Sequence, residues 1–498
     1  MAKETLMMIR LNKSMVNKQN RPVKVLQFGE GNFLRAFVDY FIDIANEQGV
    51  FDGNIVIVKP IEYGTLERFH AQDCQYTVSL RGVQNGKAQV MNRIVTSVAD
   101  VVDCYTEYEK YESFASLDSL RFIVSNTTEA GIVFEDSDRF EMNPPKTYPG
   151  KLTKFLYQRY QAFHGDKSKG LIMLPVELID DNGIQLKRCV MEYTKLWKLE
   201  TGFVDWLNEA CIFTSTLVDR IVTGYPREDA AKIWAEELGY EDQLLDTAEP
   251  FGLWVIESQK DFSEEFPLKK AGLPILFTDN QKPYKQRKVR ILNGAHTSFV
   301  LASYLAGNDI VLTSMQDEII LNFMKHTIFD EVIPTLTLPK DDLLQFADAV
   351  IERFHNPYVK HSLLAISLNS ISKWKARCMP SYLGYQKLYH KLPEHLTFSI
   401  AALMAFYSGT ELRDKALIGH RDGKEYEIHD DEEVLSFFLE NAKKDSKEFA
   451  KAVLSNERFW GEDLATTEAV SKVSEYLDKI RKDGMRAALE AYFPVHTA

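Results

Sequence analysis

The first half of the chain alternates short apolar runs with segments whose apolar residues recur at helical spacing. Val23–Phe28 is the first such run, rich in β-branched residues, and it ends at Gly29. Helical spacing follows over residues 37–44, and this change of period predicts a strand, a turn and a helix. Further short runs occupy residues 54–58, 122–125 and 170–175. Alternating strands and helices are typical of a mainly parallel sheet, so we predict a doubly wound α/β domain over residues 1–280.

The second half of the chain has a different pattern. Proline and turn residues are frequent over residues 267–283, and long helical periodicities dominate beyond them. These periodicities cover residues 314–326, 341–354, 396–407, 432–442 and 470–491. We therefore predict a mostly α-helical second domain over residues 281–498, which carries the substrate and catalytic residues discussed below.

Composition and charge narrow the partners that the chain can take. Its 498 residues carry a net charge of −13, which argues against a general nucleic-acid binder, because phosphate binding requires a basic surface. The five cysteines are widely spaced without a CxxC pair, a pattern typical of reduced thiols in the cytoplasm. The eleven histidines include no HExxH motif, so no metal is expected.

Membrane association is not expected either. The N-terminus lacks the apolar core of a signal peptide, and the most apolar helical run, residues 396–407, is too short to span a bilayer. No coiled-coil heptads stand out. We expect a cytoplasmic monomer that acts on a small molecule.

A glycine-containing turn follows the first predicted strand, in the sequence Gly29-Glu-Gly31-Asn-Phe-Leu34-Arg35. In a dinucleotide-binding turn, the first glycine permits the tight bend and the second lets the backbone approach a pyrophosphate, whose charge the helix N-terminus stabilises. Leu34 stands where the usual pattern has its third glycine. The context predicts a Rossmann-like nucleotide site, with an ordinary strand-to-helix turn as the alternative.

The residues beyond the next strands leave the cofactor preference open. Lys59 ends the second predicted strand, where an NAD-preferring fold usually carries an acidic side chain for the ribose hydroxyls. Glu62 is the nearest acidic candidate, and Lys59 is compatible with NADP. A polar turn over residues 126–131 follows a later strand, at the edge where doubly wound sheets bind ligands. We expect NAD, with NADP as the alternative.

The stretch Lys288-Val-Arg-Ile-Leu-Asn293-Gly-Ala-His296 places a candidate proton carrier, an amide and an imidazole close together. At about 100° per residue, these three side chains fall at about 0°, 140° and 80° around a helix and share one broad face. Neighbouring cations are Lys285, Arg287 and Arg290. Nearby positive charge and partial burial lower a lysine pKa, as a general base requires. The alternative is a solvated helix start with a core histidine.

Together these motifs resemble those of the polyol-specific long-chain dehydrogenases, the mannitol dehydrogenase family. The similarity rests on KxxxxNxxH at residues 288–296 and on GxGxFxRA at residues 29–36, and it extends over most of the chain. It implies metal-independent hydride transfer, with Lys288 as general acid/base, Asn293 as donor to the developing oxyanion and His296 orienting the substrate. It also implies an NAD(H) site formed by Phe28, Gly29, Gly31, Asn32, Phe33, Arg35 and Glu129.

One stretch departs from the family pattern. Polyol-oxidising members carry Cys-Asp-Asn where this chain has Val176-Glu-Leu178, so a second oxyanion-binding amide is missing. Within the family, the similarity is greatest to members that act on sugar acids. A sugar acid carries a carboxylate, which requires a cationic partner. The candidates are Arg290, Arg353, Lys373 and Arg377, with His361 and Asn369 as hydroxyl partners. In a helix, Lys373 and Arg377 would lie one turn apart.

Other functions remain possible from the sequence. The nearest is another member of the same family, acting on a polyol such as mannitol or arabinitol or on a different keto acid. The glycine turn alone is also compatible with an S-adenosylmethionine methyltransferase or a nucleotide-binding sensor. Neither of these gives Lys288, Asn293 and His296 a role.

Overall fold

The computed structural model describes residues 8–128 and 130–495, and its chain divides into two compact units. Unit 1 contains the chain up to Gly82 together with Gln89–Gln281. Unit 2 contains Val83–Ala88 and the chain from Lys282 onward. Glu129, expected at the cofactor site, lies outside the described residues.

Unit 1 is built on a six-stranded sheet in which all neighbouring strands are parallel. Its strands and those of two smaller sheets are β1 (Val23–Phe28), β2 (Asn54–Lys59), β3 (Tyr76–Gln84), β4 (Lys87–Val95), β5 (Val98–Asp103), β6 (Phe122–Ser125), β7 (Ile172–Pro175), β8 (Ile212–Phe213), β9 (Ser215–Asp219), β10 (Val222–Gly224), β11 (Asp246–Ala248), β12 (Leu253–Glu257) and β13 (Ile275–Thr278). The main sheet has the order β5-β2-β1-β6-β7-β8. Counted along the chain, this is the 3-2-1-4-5-6 order of the Rossmann fold. The doubly wound prediction is confirmed.

Both faces of the main sheet are buried. Along β1, Val25 belongs to one apolar cluster, whereas Leu26 and Phe28 belong to the other. The helices of the unit are α1 (Asn32–Leu34), α2 (Tyr40–Glu47), α3 (Glu67–Ala71), α4 (Tyr108–Ser113), α5 (Tyr148–Ala162), α6 (Asn182–Leu196), α7 (Thr201–Glu209) and α8 (Ala230–Ile233). A π-helical segment, Arg35–Asp39, joins α1 to α2. Because helices cover both faces, the central strands are largely apolar, and this pattern made them recognisable.

The two smaller sheets of unit 1 were not predicted. One has the order β10-β11-β3-β4, and in the other β12 pairs antiparallel with β9 and parallel with β13. Apolar periodicity identifies a strand but carries no information on its partner, so these pairings are outside what the pattern can predict.

Unit 2 is mostly helical, as the long periodicities predicted. Its helices are α9 (Lys282–Arg287), α10 (Gly294–Leu305), α11 (Val311–Gln316), α12 (Glu318–His326), α13 (Lys340–Phe354), α14 (Leu363–Ser367), α15 (Ser370–Arg377), α16 (Met379–Tyr389), α17 (Glu394–Phe406), α18 (Glu432–Asn441), α19 (Ser446–Leu454), α20 (Glu457–Trp460), α21 (Thr467–Asp483) and α22 (Met485–Tyr492). Helices α10 and α17 are buried on nearly all sides and contact each other, so they form the centre of the unit. Within the described ranges, no helix is long and apolar enough to cross a membrane.

Two predicted helices of unit 2 are each split in two. The periodicity over residues 314–326 is broken at Asp317, where the backbone is extended between α11 and α12. The periodicity over residues 470–491 is broken at Gly484, whose φ of 86° no other residue adopts easily. Three antiparallel strands also occur in this region: β14 (Glu411–Arg413), β15 (Ala416–Arg421) and β16 (Lys424–Ile428).

Candidate active site

The glycine turn of unit 1 has the geometry of a ligand cradle. Gly29 has a φ of 128°, and a Cβ atom on it would lie 3.1 Å from the carbonyl oxygen of Asn126, so a side chain is disfavoured there twice over. Gly31 stands before the first turn of α1, and a Cβ atom on it would meet no atom of residues 8–128 and 130–495 within 4 Å. The turn is therefore tight at Gly29 and open at Gly31. It lies between the ends of β1 and β6, where the order of the sheet reverses and ligands bind in this fold.

Two predicted cofactor residues support the turn from within. The Arg35 guanidinium is buried, donates to the Asn32 side-chain oxygen at 2.5 Å and to the backbone oxygen of Leu244, and lies 3.7 Å from Asp246. The Phe28 ring is buried against Tyr148.

Three further cofactor candidates are more accessible than Phe28, Gly29 and Arg35. Gly31 and Asn32 are exposed, and Phe33 is half-buried and stacks on Phe37. The turn is therefore accessible at Gly31 and Asn32, and the buried Arg35 holds the Asn32 side chain in place.

Lys59, at the end of β2, is turned inward. Its ammonium group lies 3.0 Å from Asp103 and donates to the backbone oxygens of Ile61, Glu62 and Tyr63 at 2.8 to 3.2 Å. The Lys59 side chain is 1% exposed. All of its hydrogen-bonding capacity is used to fold the loop beyond β2.

Glu177 occupies the position where the family pattern departs. Its carboxylate accepts hydrogen bonds from the backbone N–H and the hydroxyl of Thr127, both at 3.0 Å, and from the Ser125 hydroxyl at 3.1 Å. Burial raises the pKa of this carboxyl group. Leu178 beside it is 65% exposed and cannot donate to an oxyanion. The nearby Asn182 amide donates to three backbone oxygens, including that of Glu177, so it does not supply the missing donor.

In unit 2, the residues Lys288–Asn293 form a π-helical segment between α9 and α10. Its wider turn is evident in the N–H of Gly294, which donates to the carbonyl oxygen of Val289 five residues earlier. A π turn takes more residues than an α turn, so Lys288 and Asn293, five residues apart, lie closer together around the helix axis than they would in a regular α-helix. Asn293 and His296 are then neighbours at the α-helical spacing of three. The predicted helix is present, and its π turn makes the face shared by the three residues narrower than the face expected of a regular α-helix.

His296 lies at the centre of a cationic cluster. Its ring stacks on Phe354 at 4.2 Å and meets the ring of His361 edge-on at 5.2 Å. Its Nε2 atom is buried without a hydrogen-bond partner in the described part of the chain, although the ring keeps some exposure. Burial, followed by the charges nearby, holds the pKa of His296 well below its usual value. The groups that act on it electrostatically are the cations Arg353, Arg377 and Lys373 and the imidazole of His361.

The structure therefore brings together, from three separate segments, four side chains that the sequence proposed for substrate binding. Lys373 and Arg377 lie one turn apart on α15, as predicted. Lys373 donates to the backbone oxygen of Ile366 at 2.9 Å, and Arg377 makes a long hydrogen bond of 3.4 Å to the Thr297 hydroxyl. Burial lowers the pKa of both groups, and Arg377 lowers that of Lys373 further. Such a cluster suits an anionic ligand.

Arg290, a fifth candidate for the substrate, lies elsewhere. Its guanidinium donates to the Ser381 hydroxyl at 2.9 Å and to the carbonyl and hydroxyl oxygens of Thr335. It is two residues from Lys288 on the other side of the helix, and it does not belong to the group around His296. Phe354, by contrast, was not predicted, because a buried aromatic residue at helical spacing has the same pattern as a core residue.

No cluster of metal-ligating side chains occurs within residues 8–128 and 130–495.

Comparisons with known proteins identify the family of the chain. The family model described as the mannitol dehydrogenase Rossmann domain matches residues 23–270, and the mannitol dehydrogenase C-terminal domain matches residues 280–481. The altronate oxidoreductase of Yersinia enterocolitica is 44% identical over 490 residues, which are 97% of this chain and 99% of that protein. The altronate oxidoreductase of an Enterobacter species is 43% identical over 477 residues, 94% of this chain and 96% of that protein.

Solved structures support the fold. A substrate-free D-sorbitol dehydrogenase superimposes with a TM-score of 0.78 at 24% identity, covering 97% of this chain and all of that one. The Pseudomonas fluorescens mannitol 2-dehydrogenase, in a ternary complex with NAD and D-mannitol, gives a TM-score of 0.65 at 20% identity, covering 97% of this chain and 99% of that one.

Proposed function

Because the chain belongs to the mannitol dehydrogenase family and is thus an oxidoreductase of CH–OH groups with a nicotinamide cofactor, we propose that it interconverts D-altronate and D-tagaturonate with NAD(H). The observation that carries the substrate assignment is the cationic cluster around His296 in a chain whose net charge is −13. A neutral polyol has no need of such a cluster, whereas an aldonate carboxylate does. Family membership also excludes the methyltransferase and sensor alternatives.

The residues of the glycine turn fit a dinucleotide. Gly31 leaves space beside the backbone, and the N-terminal end of α1 follows directly, as a pyrophosphate requires. When bound, the nicotinamide accepts or supplies the hydride. Asn32, held by Arg35, lies at the rim of the turn. We assign Gly29, Gly31 and Asn32 to cofactor binding and Arg35 to support.

NAD is the preferred cofactor in this proposal. The positive group that would bind a 2′-phosphate at the end of β2 is Lys59, and it is already paired with Asp103 and three carbonyl oxygens. Asp103 also adds negative charge at the end of the neighbouring strand β5, which disfavours a further phosphate.

In the chemical step, Lys288 exchanges a proton with the substrate oxygen, and Asn293 donates a hydrogen bond as negative charge develops there. The π turn supports these two roles because it brings Lys288 and Asn293 closer together around the helix axis than an α turn would. His296 is neutral at physiological pH, since its pKa is well below its usual value. A neutral imidazole both donates and accepts hydrogen bonds, so the unpartnered Nε2 atom suits a substrate hydroxyl.

The test is a substrate panel followed by NADH absorbance. We expect the purified protein to oxidise NADH rapidly with D-tagaturonate, slowly with D-fructuronate or D-fructose, and more slowly with NADPH than with NADH. Lys288→Ala should abolish the reaction while the Kd for NADH stays unchanged. Preference for D-fructuronate or D-fructose would refute the substrate assignment within the same family, and an active Lys288→Ala variant would refute the lysine mechanism.

A further inference from the structure

Arg290 is the charged residue inside the π-helical segment that faces away from the cationic cluster. Its side chain is buried, and the whole residue is 9% exposed. Nε donates to the Ser381 hydroxyl at 2.9 Å, Nη1 to the Thr335 carbonyl at 3.4 Å and Nη2 to the Thr335 hydroxyl. The Thr335 hydroxyl in turn donates to the carbonyl oxygen of Val332 at 2.6 Å. Every side-chain nitrogen of Arg290 is therefore engaged.

These partners are all neutral. Burial of a guanidinium without a carboxylate is unfavourable, and here burial lowers the pKa of Arg290 to about 10. An apolar residue would fill this position at a lower free-energy cost. The arrangement is therefore better explained by what Arg290 holds in place than by its contribution to stability.

The partners of Arg290 belong to segments next to the cationic cluster. Ser381 is in the first turn of α16, which begins two residues after Arg377. Thr335 ends a short 3₁₀ turn, Ile333–Thr335. At the other end of the π segment, a Cβ atom on Gly294 would lie 3.2 Å from the backbone oxygen of Arg377. The π segment is thus held against α16 through Arg290 and lies against the last residue of α15 at Gly294.

A π turn is less favourable than an α turn and persists where tertiary contacts select it. If the segment relaxed to an α-helix, Lys288 and Asn293 would move apart around the helix axis, to an angle of about 140°. A planar guanidinium that donates several hydrogen bonds resists such a rotation better than a group with a single hydrogen bond does.

We propose that Arg290 is a positioning residue: its buried hydrogen bonds to Thr335 and Ser381 hold the Lys288–Asn293 segment in its π turn and so keep Lys288 and Asn293 aligned with each other and in register with Arg377. This inference rests on the proposed function for its catalytic consequence, but the selection of the π turn does not depend on the substrate.

The direct test compares Arg290→Lys with Arg486→Lys. Arg486 also links two helical segments of unit 2, through Asp317 and the carbonyl oxygen of Ala306, and serves as the matched control. By hydrogen–deuterium exchange, we expect faster exchange in peptides covering residues 289–294 of Arg290→Lys, with α17 unchanged, and no such change in Arg486→Lys. Equal exchange of residues 289–294 in wild type and Arg290→Lys would overturn the proposal, whatever the protein's substrate.

Kinetics provide the second readout. With the substrate that the wild type turns over, we expect Arg290→Lys to lower kcat by about 10- to 100-fold, because small misplacements of catalytic groups have effects of this size. The Kd for NADH should stay unchanged, and the isotope effect with NADH deuterated at the transferred position should increase. Thr335→Ser, which keeps the hydroxyl, should retain kcat, whereas Thr335→Val should not. A loss of kcat that merely follows a loss of Tm, as in Arg486→Lys, would mean a structural role alone.

Discussion

Arg377 and Lys373 carry the substrate selectivity in the proposed function. Each uses one hydrogen bond within the protein, to Thr297 and to Ile366 respectively, and each interacts electrostatically with His296. Arg290 and Arg35 have the same side-chain chemistry as Arg377, yet both are buried and bound to neutral or internal partners. For each of these side chains, the residue type determines which ligands it can bind, and its burial and hydrogen bonds determine which partner it does bind.

Replacement of Arg377 by Leu should weaken sugar-acid binding. We expect KM for the keto acid to rise by about 10- to 100-fold, because a hydrogen bond to a charged group contributes about 1.5–3 kcal/mol. The Kd for NADH should not change. Lys375→Met is the matched control, since Lys375 lies on the same helix α15 and is absent from the charges that act on His296. Comparable rises in KM for both variants, or a parallel loss of NADH affinity, would contradict the carboxylate role.

At the scale of elements, two short turns organise the candidate site. The glycine turn after β1 leaves space beside the backbone of Gly31. The π turn before α10 brings Lys288, Asn293 and His296 onto a narrower face of the helix. Both occur at the junction of regular elements, where the backbone departs from its usual hydrogen-bonding pattern.

The two glycines of the first turn should respond differently to alanine. Gly31→Ala should fold with an unchanged Tm, because its Cβ atom would meet no atom of the described residues within 4 Å, but should raise the Kd for NADH about tenfold or more by occupying the space of the ligand. Gly29→Ala should instead lower the stability of unit 1 by about 1–3 kcal/mol, because its φ of 128° strains a side chain. Fluorescence titration and thermal unfolding separate the two effects. Unchanged NADH affinity in Gly31→Ala would place the cofactor elsewhere.

At the scale of the whole molecule, the two units hold buried titratable groups of opposite kind. Unit 1 buries Asp39 and Asp246, whose pKa values burial raises to about 7, with Tyr76, Gln27 and Arg35 around Asp39. Unit 2 buries His296 and His361, whose pKa values burial lowers. Burial disfavours the charged form of both kinds of group, but they respond to acid in opposite directions.

Acidification should therefore stabilise unit 1 and destabilise unit 2. A carboxyl group with a raised folded pKa gains stability as the pH falls through about 7, because the folded state binds the proton first. A histidine with a lowered folded pKa loses stability as the pH falls below about 6.5, because the unfolded state binds the proton first.

Hydrogen–deuterium exchange at pH 7.5 and 5.5, corrected for intrinsic rates, measures this divergence. We expect protection of β1 to increase at the lower pH and protection of α10 to decrease. Asp39→Asn should remove part of the response of β1, and His296→Asn part of that of α10. A parallel change of β1 and α10 in the wild type would refute the assignment of the acid response to these groups.

Regular elements, and groups of reactive residues close together along the chain, could be predicted from the sequence. Val23–Phe28 and Gly29 predicted a strand and a turn, and KxxxxNxxH at Lys288 predicted a helix with three candidate groups. These features follow from local period and from residue type, which are one-dimensional properties.

Which of those side chains act together depends on how the folded chain packs. The tertiary structure turned Arg290, Arg35 and Lys59 toward internal partners, although the sequence proposed all three for ligands. It also converted the expected α turn at Lys288 into a π turn and gathered cations from α13 and α15 around His296. The physical reason is that a side chain's partners come from segments distant in the chain, so its direction, burial and charge environment exist only after those segments have packed.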